Sequence, residues 1–203
     1  MSARRFEAIF FDFDGVVVDS EPVHFACWNE VLAPYGIQLD WDEYNAHFIG
    51  ISDRAMLELI ASRAQRAVTV DELAAQYPVK KELFRDRMVE NPPLAEGVVD
   101  FLHTLAGYRL ALVTSSGRGE VEPILHVAGI HSCFEACVYG GDVKRLKPAP
   151  DPYLQAADRV GTRQALVVED SQAGIASARA AGLEFVQVPT PNRMVDLVRG
   201  RLG

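Results

Sequence analysis

The chain has 203 residues, of which 49% are hydrophobic and 24% charged, and its formal net charge is −8. That length suits one α/β core with a small inserted domain, and the composition is that of a packed globular protein rather than a disordered one. The acidic balance excludes nucleic acid as the main partner, since phosphate backbones are bound by clustered lysine and arginine, but a small phosphate is accommodated where a metal and a few local cations offset the repulsion.

Met1–Phe6 carries two arginines, and the apolar run that follows is broken by Asp12 and Asp14. A secretory signal needs a longer uninterrupted core, and no stretch approaches the ~20 apolar residues of a membrane helix. No membrane partner is therefore expected, and the cytoplasm is the expected location. Cys27, Cys133 and Cys137 are odd in number and form no CxxC pair. They read as thiols of a reducing compartment, used for buried packing.

In chain order, Ala8–Phe11 is short, apolar and ended abruptly by Asp12, the pattern of a buried strand. From Asp19 to Asn91 the pattern is helical throughout. Glu21–Ala33 places Phe25, Trp28, Val31 and Leu32 at helical spacing, and Asp53–Ala61 follows Ser52 as an N-cap. Asp71–Gln76 and Val79–Val89 read as further helices, with Lys80 and Lys81 either as cap contacts to substrate or, the usual case, on a solvated face. Asn91-Pro92-Pro93 is a rigid connector. Arg109–Val113 is then a strand ending at Thr114, followed by a helix over Glu120–Ala128 and a weaker strand over Ala136–Tyr139. A strand over Ala165–Val168 ends at Glu169–Asp170. A helix over Ala173–Ala181 stops at Gly182, Glu184–Val188 is another strand, and Met194–Leu202 a terminal helix. Strands alternating with helices imply an α/β class: a doubly wound, mostly parallel, Rossmann-like sheet core over 1–18 and 92–203, with an inserted α-helical cap domain over 19–91. Ligands of such sheets gather beyond the carboxyl ends of the strands, where Asp12, Thr114 and Asp170 stand. A helical insert directly after the first strand is expected over this edge, as a lid that excludes water.

Four segments at these strand ends carry chemistry. Asp12-Phe13-Asp14-Gly15 sets two carboxylates two residues apart, which suits magnesium, though alone it fits an Asx turn with Gly15 at the bend equally well. Glu169-Asp170-Ser171 adds carboxylates and at the same time a helix N-cap. Thr114-Ser115-Ser116-Gly117 offers hydroxyls and backbone N–H groups as an anion cradle. Lys147 precedes the proline-rich turn of Pro148–Pro152, with Asp151 as the expected N-cap of the next helix; taken alone, this lysine reads as solvated on its loop.

Taken together and in this order, DFDGVVVDSEP (Asp12–Pro22), VTSS (Val113–Ser116), GGDVKRLKPAPDPY (Gly140–Tyr153) and VVEDSQAGIASARAAG (Val167–Gly182) resemble the haloacid dehalogenase superfamily in its phosphatase and phosphomutase branch. The resemblance spans nearly the whole chain. It implies Asp12 as a nucleophile that forms an aspartyl-phosphate, and Asp14 as the acid and then the base. It also implies Mg²⁺ held by Asp12, Asp170 and the Asp14 backbone carbonyl. Glu169 would be a further ligand or a carboxylate just behind one. Thr114 and Lys147 would hold phosphoryl oxygens, with Gly15, Ser115 and Ser116 beside the substrate. Asp14 argues against dehalogenation, because a departing halide needs no proton.

Asp19, Ser20, His24, Phe25 and Trp28 further resemble the hinge and first cap helix of β-phosphoglucomutase, where a histidine at the position of His24 couples cap closure to chemistry. His24 and Trp28 read equally as residues that pack this helix. That mutase grips a second phosphate with a cap arginine after a Gly-x-Ser step, whereas here Gly50-Ile51-Ser52 is followed by Asp53. The expected activity is therefore a phosphatase on a small phosphorylated metabolite, a sugar phosphate first of all, acting as a monomer; a sugar phosphomutase is the alternative. A non-catalytic binding protein of the same fold would lack some of Asp12, Asp14, Lys147 and Asp170, and all are present.

Overall fold

The computed structural model describes residues 4–49 and 51–203. The first three residues, and Gly50 of the Gly-x-Ser step, lie outside the described residues. Two compact units are present: one runs to Asp19 and resumes at Pro92, and the other is Ser20–Asn91.

In the first unit the strands are β1 (Ala8–Phe11), β2 (Arg109–Val113), β3 (Ala136–Val138), β4 (Ala165–Glu169) and β5 (Glu184–Gln187). The second unit, Ser20–Asn91, contributes α1 (Glu21–Leu32), α2 (Trp41–His47), α3 (Asp53–Ile60), α4 (Val70–Ala74) and α5 (Tyr77–Glu90). The first unit adds α6 (Val98–Thr104), α7 (Arg118–Val127), α8 (Asp151–Val160), α9 (Gln172–Ala180) and α10 (Met194–Leu202).

The strands form one parallel sheet in the order β3-β2-β1-β4-β5. The chain leaves β1 to one side, builds β2 and β3, and crosses back to place β4 on the other side. β1 is thus the topological switch point, where a parallel sheet opens a crevice beyond its strand ends. The register aligns those ends: Phe11 is level with Leu112 of β2 and Val168 of β4. β1 and β4 are wholly buried, as strands covered on both faces must be. Alternation along them sends Ala8 and Phe10, with Ala165 and Val167, into one apolar layer with Tyr153, Ala156 and Val160 of α8 and Ala178 of α9. Each large side chain buried there contributes about 1.5–3 kcal/mol.

The helical unit has its own core, in which Trp28, Leu32, Tyr44, Met56, Leu57 and Leu73 meet. Ser52 caps α3 by accepting from the Ala55 N–H at 3.2 Å. Two sequence expectations change. Asp151 is not the N-cap of α8: Pro150 holds that position, and the Asp151 carboxylate takes two hydrogen bonds from Arg145. Cys27 is buried as expected, but Cys133 and Cys137 are only half-buried, and all three are free thiols.

Candidate active site

Asp12 is the first residue beyond β1, and its N–H still donates to the Val168 carbonyl at 3.0 Å, so the switch point itself orients it. The chain then folds into a tight turn. The Phe13 carbonyl accepts from the N–H groups of Val17 and Val18, and the Gly15 N–H donates to Val18 at 2.8 Å. Gly15 has φ +74°, and a methyl group on it would come within 2.1 Å of Asp170 Oδ2. Only glycine allows the Asp12 turn to pass this close to the Asp170 carboxylate.

Lys147 is not solvated. Its side chain is 5% exposed, and its Nζ donates to Asp12 Oδ1 at 2.8 Å, Glu169 Oε1 at 2.6 Å and the Val113 carbonyl at 2.9 Å. All three ammonium protons are thereby used. Glu169 is fully buried. One of its oxygens accepts from Lys147 and from the Tyr153 hydroxyl at 2.7 Å, and the other from the Ser171 N–H and hydroxyl. Ser171 also caps α9 by accepting from the Gly174 N–H at 3.0 Å. A methyl group on Gly174 would meet the Glu169 carboxylate at 1.7 Å, so this helix start is built around Glu169. Tyr153 escaped the sequence reading. Its signal was a hydroxyl-bearing ring on the apolar stripe of α8, where a buried phenol needs a partner.

On the β2 side, Thr114 is buried, and its Oγ1 accepts from the Ser116 N–H at 3.0 Å, which leaves its O–H to donate outward. Ser116 Oγ donates to Asp14 Oδ2 at 3.1 Å. A cavity of about 230 Å³ is lined by Asp12, Asp14, Thr114, Ser115, Ser116 and Lys147, together with Asp170. These seven sequence-predicted residues are thus brought together. Glu169 lies buried behind them, holding Lys147.

Oxygens of Asp12, Glu169 and Asp170 lie within 4.8 Å of one another. Two unit charges at that distance repel by about 3 kcal/mol at an effective dielectric of ~20. Burial raises the Asp12 carboxyl far above the usual carboxylate range. Glu169 and Asp170 push it further up, and Lys147 works in the opposite direction. Burial, then Glu169, lifts Asp170 to about 6. One ammonium does not neutralise this set, and Glu169 already has four donors. The oxygens of Asp12 and Asp170 therefore fit a hard divalent cation such as magnesium, which takes carboxylate ligands readily.

His24 is not among these residues. It belongs to the helical unit, where it stacks on Phe84 with ring centroids 3.9 Å apart. Its Nδ1 lies 2.7 Å from Lys80 Nζ. Burial first, and the Lys80 cation second, lower its pKa to about 3, so the ring is neutral and Nδ1 accepts. Lys80 corrects the sequence expectation of a solvated face: it is 4% exposed and sits over the rings of Trp28, Tyr77 and Phe84. Lys81, next to it, is exposed as expected. Trp28 packs in the core, as its spacing suggested, and its indole N–H donates to Asp53 at 3.2 Å. His24, Lys80 and Asp53 line a second cavity of about 290 Å³ with Glu21, Tyr44 and Tyr77.

Comparison with known proteins bears on this arrangement. Residues 9–188 match the haloacid dehalogenase-like hydrolase family. The chain is 35% identical over 189 residues to the fructose-1-phosphate phosphatase YqaB of Escherichia coli strain K12, covering 91% of this chain and 97% of that one. It is 29% identical to a phosphorylated carbohydrates phosphatase of Thermotoga maritima, covering 89% and 83%. A β-phosphoglucomutase-like crystal structure from Thermotoga maritima shares the fold, with a TM-score of 0.73 at 24% identity, over 96% of this chain and 99% of that one.

Proposed function

Because the chain belongs to the haloacid dehalogenase-like hydrolase family, we propose that it hydrolyses the phosphomonoester of a small phosphorylated sugar through a phosphoryl group held transiently on Asp12. The observation that carries this reading is Asp12 itself, a buried carboxylate at the switch point, paired with Lys147 at 2.8 Å and lining a cavity beside Asp14 and Thr114. The relatives named for fructose 1-phosphate and phosphorylated carbohydrates support a sugar phosphate as substrate.

In the first step an Asp12 oxygen attacks phosphorus and the bond from phosphorus to the sugar oxygen breaks. Protonated Asp14 gives its proton to the departing oxygen. In the second step the Asp14 carboxylate takes a proton from water, whose oxygen attacks phosphorus. The bond to Asp12 breaks, inorganic phosphate leaves, and both acids return to their starting forms. The Thr114 hydroxyl and the Ser115 N–H donate to the phosphoryl oxygens as charge spreads onto them, and Lys147, whose protons are held by Asp12, Glu169 and the Val113 carbonyl, sets its positive charge beside them. Asp12, Asp170 and the Asp14 backbone carbonyl would hold magnesium, whose charge lets an anionic carboxylate meet an anionic phosphate. Glu169 fixes the ammonium of Lys147 from behind.

We assign selection of the leaving group to the helical unit, on the strength of its polar cavity around the buried Lys80. The mutase reading is disfavoured by Asp53, an anion where that enzyme type places a cation for a second phosphate. The test measures phosphate release from a panel of sugar phosphates with magnesium, alongside isomerisation of β-glucose 1-phosphate primed with a bisphosphate. Fast release without isomerised product is expected, and Asp12→Asn should abolish it. Isomerisation outrunning release would replace the phosphatase by the mutase. Undiminished turnover by Asp12→Asn would remove the nucleophile assignment.

A further inference from the structure

Apart from the acidic cluster of the active site, one other group of metal-ligating side chains converges among the described residues. Glu122 and His126 stand four residues apart on α7, on one face of the helix, and His131 comes from the short turn that follows. Each offers one ligand atom, and the three atoms lie within 4.8 Å of one another. His131 Nε2 is 3.6 Å from Glu122 Oε1. The rings of His126 and His131 lie 4.2 Å apart at 19°. Bonds of ~2.0–2.1 Å around a tetrahedral ion place neighbouring ligand atoms about 3.3–3.5 Å apart; the His131–Glu122 spacing exceeds that only slightly, and side-chain rotation would bring in His126. Glu122 and His131 are half-buried and border a surface cavity of about 410 Å³, which leaves room for water as a fourth ligand.

We propose that Glu122, His126 and His131 form a second metal site, selective for a borderline transition ion of the zinc class. Two imidazole nitrogens and one carboxylate oxygen favour such ions over magnesium, which takes oxygen ligands. Glu122 also accepts from the exposed Arg118 at 3.2 Å, and this arginine has alternative partners in Asp142 and the Tyr139 ring if an ion takes its place. A bound ion would tie α7 to the turn that leads into β3. It would thereby stabilise the folded state in proportion to its binding. This site does not depend on the reading of the Asp12 centre.

The test titrates the full-length protein with zinc, in excess magnesium, using a chromogenic chelator as competitor, and records thermal melts in parallel. Three proteins are compared: the unaltered chain, the double variant His126→Gln/His131→Gln, and Asp12→Asn/Asp170→Asn. The proposal expects one zinc equivalent, with a matching rise in melting temperature, to survive in the aspartate variant. In the histidine variant affinity should fall by more than the ~10–100-fold that loss of a hydrogen-bond partner to a ligand costs. That variant's melting temperature without zinc should equal that of the unaltered chain, and its phosphatase activity should be unchanged. Equal zinc binding by the histidine variant would overturn the proposal, as would zinc binding that disappears only in the aspartate variant. Absence of any zinc-induced shift would do the same, and would leave Glu122 in its pairing with Arg118.

Discussion

Lys147 shows why single residues at this site are expensive to change. Its ammonium touches the buried Asp12 and Glu169 carboxylates at once, at 2.8 and 2.6 Å. Lys147→Met keeps the side-chain volume but leaves two carboxylates buried without their cation, a loss of about 3–5 kcal/mol. Tyr153→Phe removes one hydrogen bond to Glu169 and should cost about 1.5–3 kcal/mol. Urea unfolding of both variants at pH 8 measures the gap. A Lys147→Met protein no weaker than Tyr153→Phe would mean that the acids are not held apart from water as described. Asp170 makes a prediction of opposite sign. Its folded pKa of about 6 stands above the ordinary carboxylate value, so the folded state keeps this proton longer than the unfolded chain. The stability contribution is full below the unfolded pKa and is lost as pH rises through about 6. Metal-free protein should lose stability over that interval, and Asp170→Asn should flatten the loss. Magnesium binds only the ionised acids, so the rise it gives in melting temperature should be larger at pH 8 than at pH 5. Equal shifts at the two pH values would remove Asp170 from the ligand set.

Among the elements, α1 and α5 meet through the neutral His24 and the buried Lys80. The folded pKa of His24, about 3, lies below its unfolded value, so its contribution is present above about pH 6.5 and is lost as pH falls below that. Trp28 and Trp41 both belong to the helical unit and are the chain's only tryptophans, so indole fluorescence reports the melting of that unit. A midpoint that falls between pH 7.5 and pH 5, and falls less in His24→Asn, is expected; identical pH profiles would show that His24 is not held neutral. Lys80 itself was legible in principle. Lys80, Leu83, Phe84, Arg87 and Met88 follow the i, i+3, i+4, i+7, i+8 stripe of a buried face, while Lys81 is turned about 100° away. A lysine inside such a stripe is a warning that residue type alone misleads. The strands were easier to read, because β1, β2 and β4 are apolar runs cut off by Asp12, Thr114 and Asp170, and burial on both faces leaves no other signal to confuse them. α2 was passed over because Trp41–His47 is short and polar, although Asp40 accepts from the Glu43 N–H as an N-cap. α6 starts at Gly97 without a side-chain cap and so gave no start signal at all. The Asp151 cap failed for a local reason, since Arg145 offers its carboxylate a fork of two donors. Asp12, Thr114 and Asp170 were legible because each directly follows a strand; Lys147, on the loop before α8, was legible only through the family resemblance, and Tyr153, in the first turn of α8, was not.

At the scale of the whole molecule, the two units are joined in a way that lets them be separated. The core closes the gap where the insert leaves it. The Asp19 N–H donates to the Pro93 carbonyl at 2.8 Å, Val18 bridges Leu94 in antiparallel fashion, and the Ala95 N–H donates to Val17 at 2.9 Å. The two exits of the insert therefore lie side by side, and both the sheet and the Asp12 turn find their hydrogen bonds within the core. The helical unit likewise buries its own apolar residues against one another. Replacing residues 20–91 by a short Gly/Ser linker should give a folded protein, because a shorter closed loop costs less entropy and no core strand loses a partner. That protein should still hydrolyse a minimal ester such as p-nitrophenyl phosphate in a magnesium-dependent way, since Asp12, Asp14, Thr114, Lys147 and Asp170 all remain. Its ranking of sugar phosphates should collapse to within about 10-fold, because a missing pocket contact is worth ~1–3 kcal/mol and several would be lost together. Circular dichroism and a substrate panel decide the matter. A shortened chain that fails to fold would show that the core depends on the insert, and one that folds and keeps the original ranking would mean that the sugar is read by the strand ends themselves.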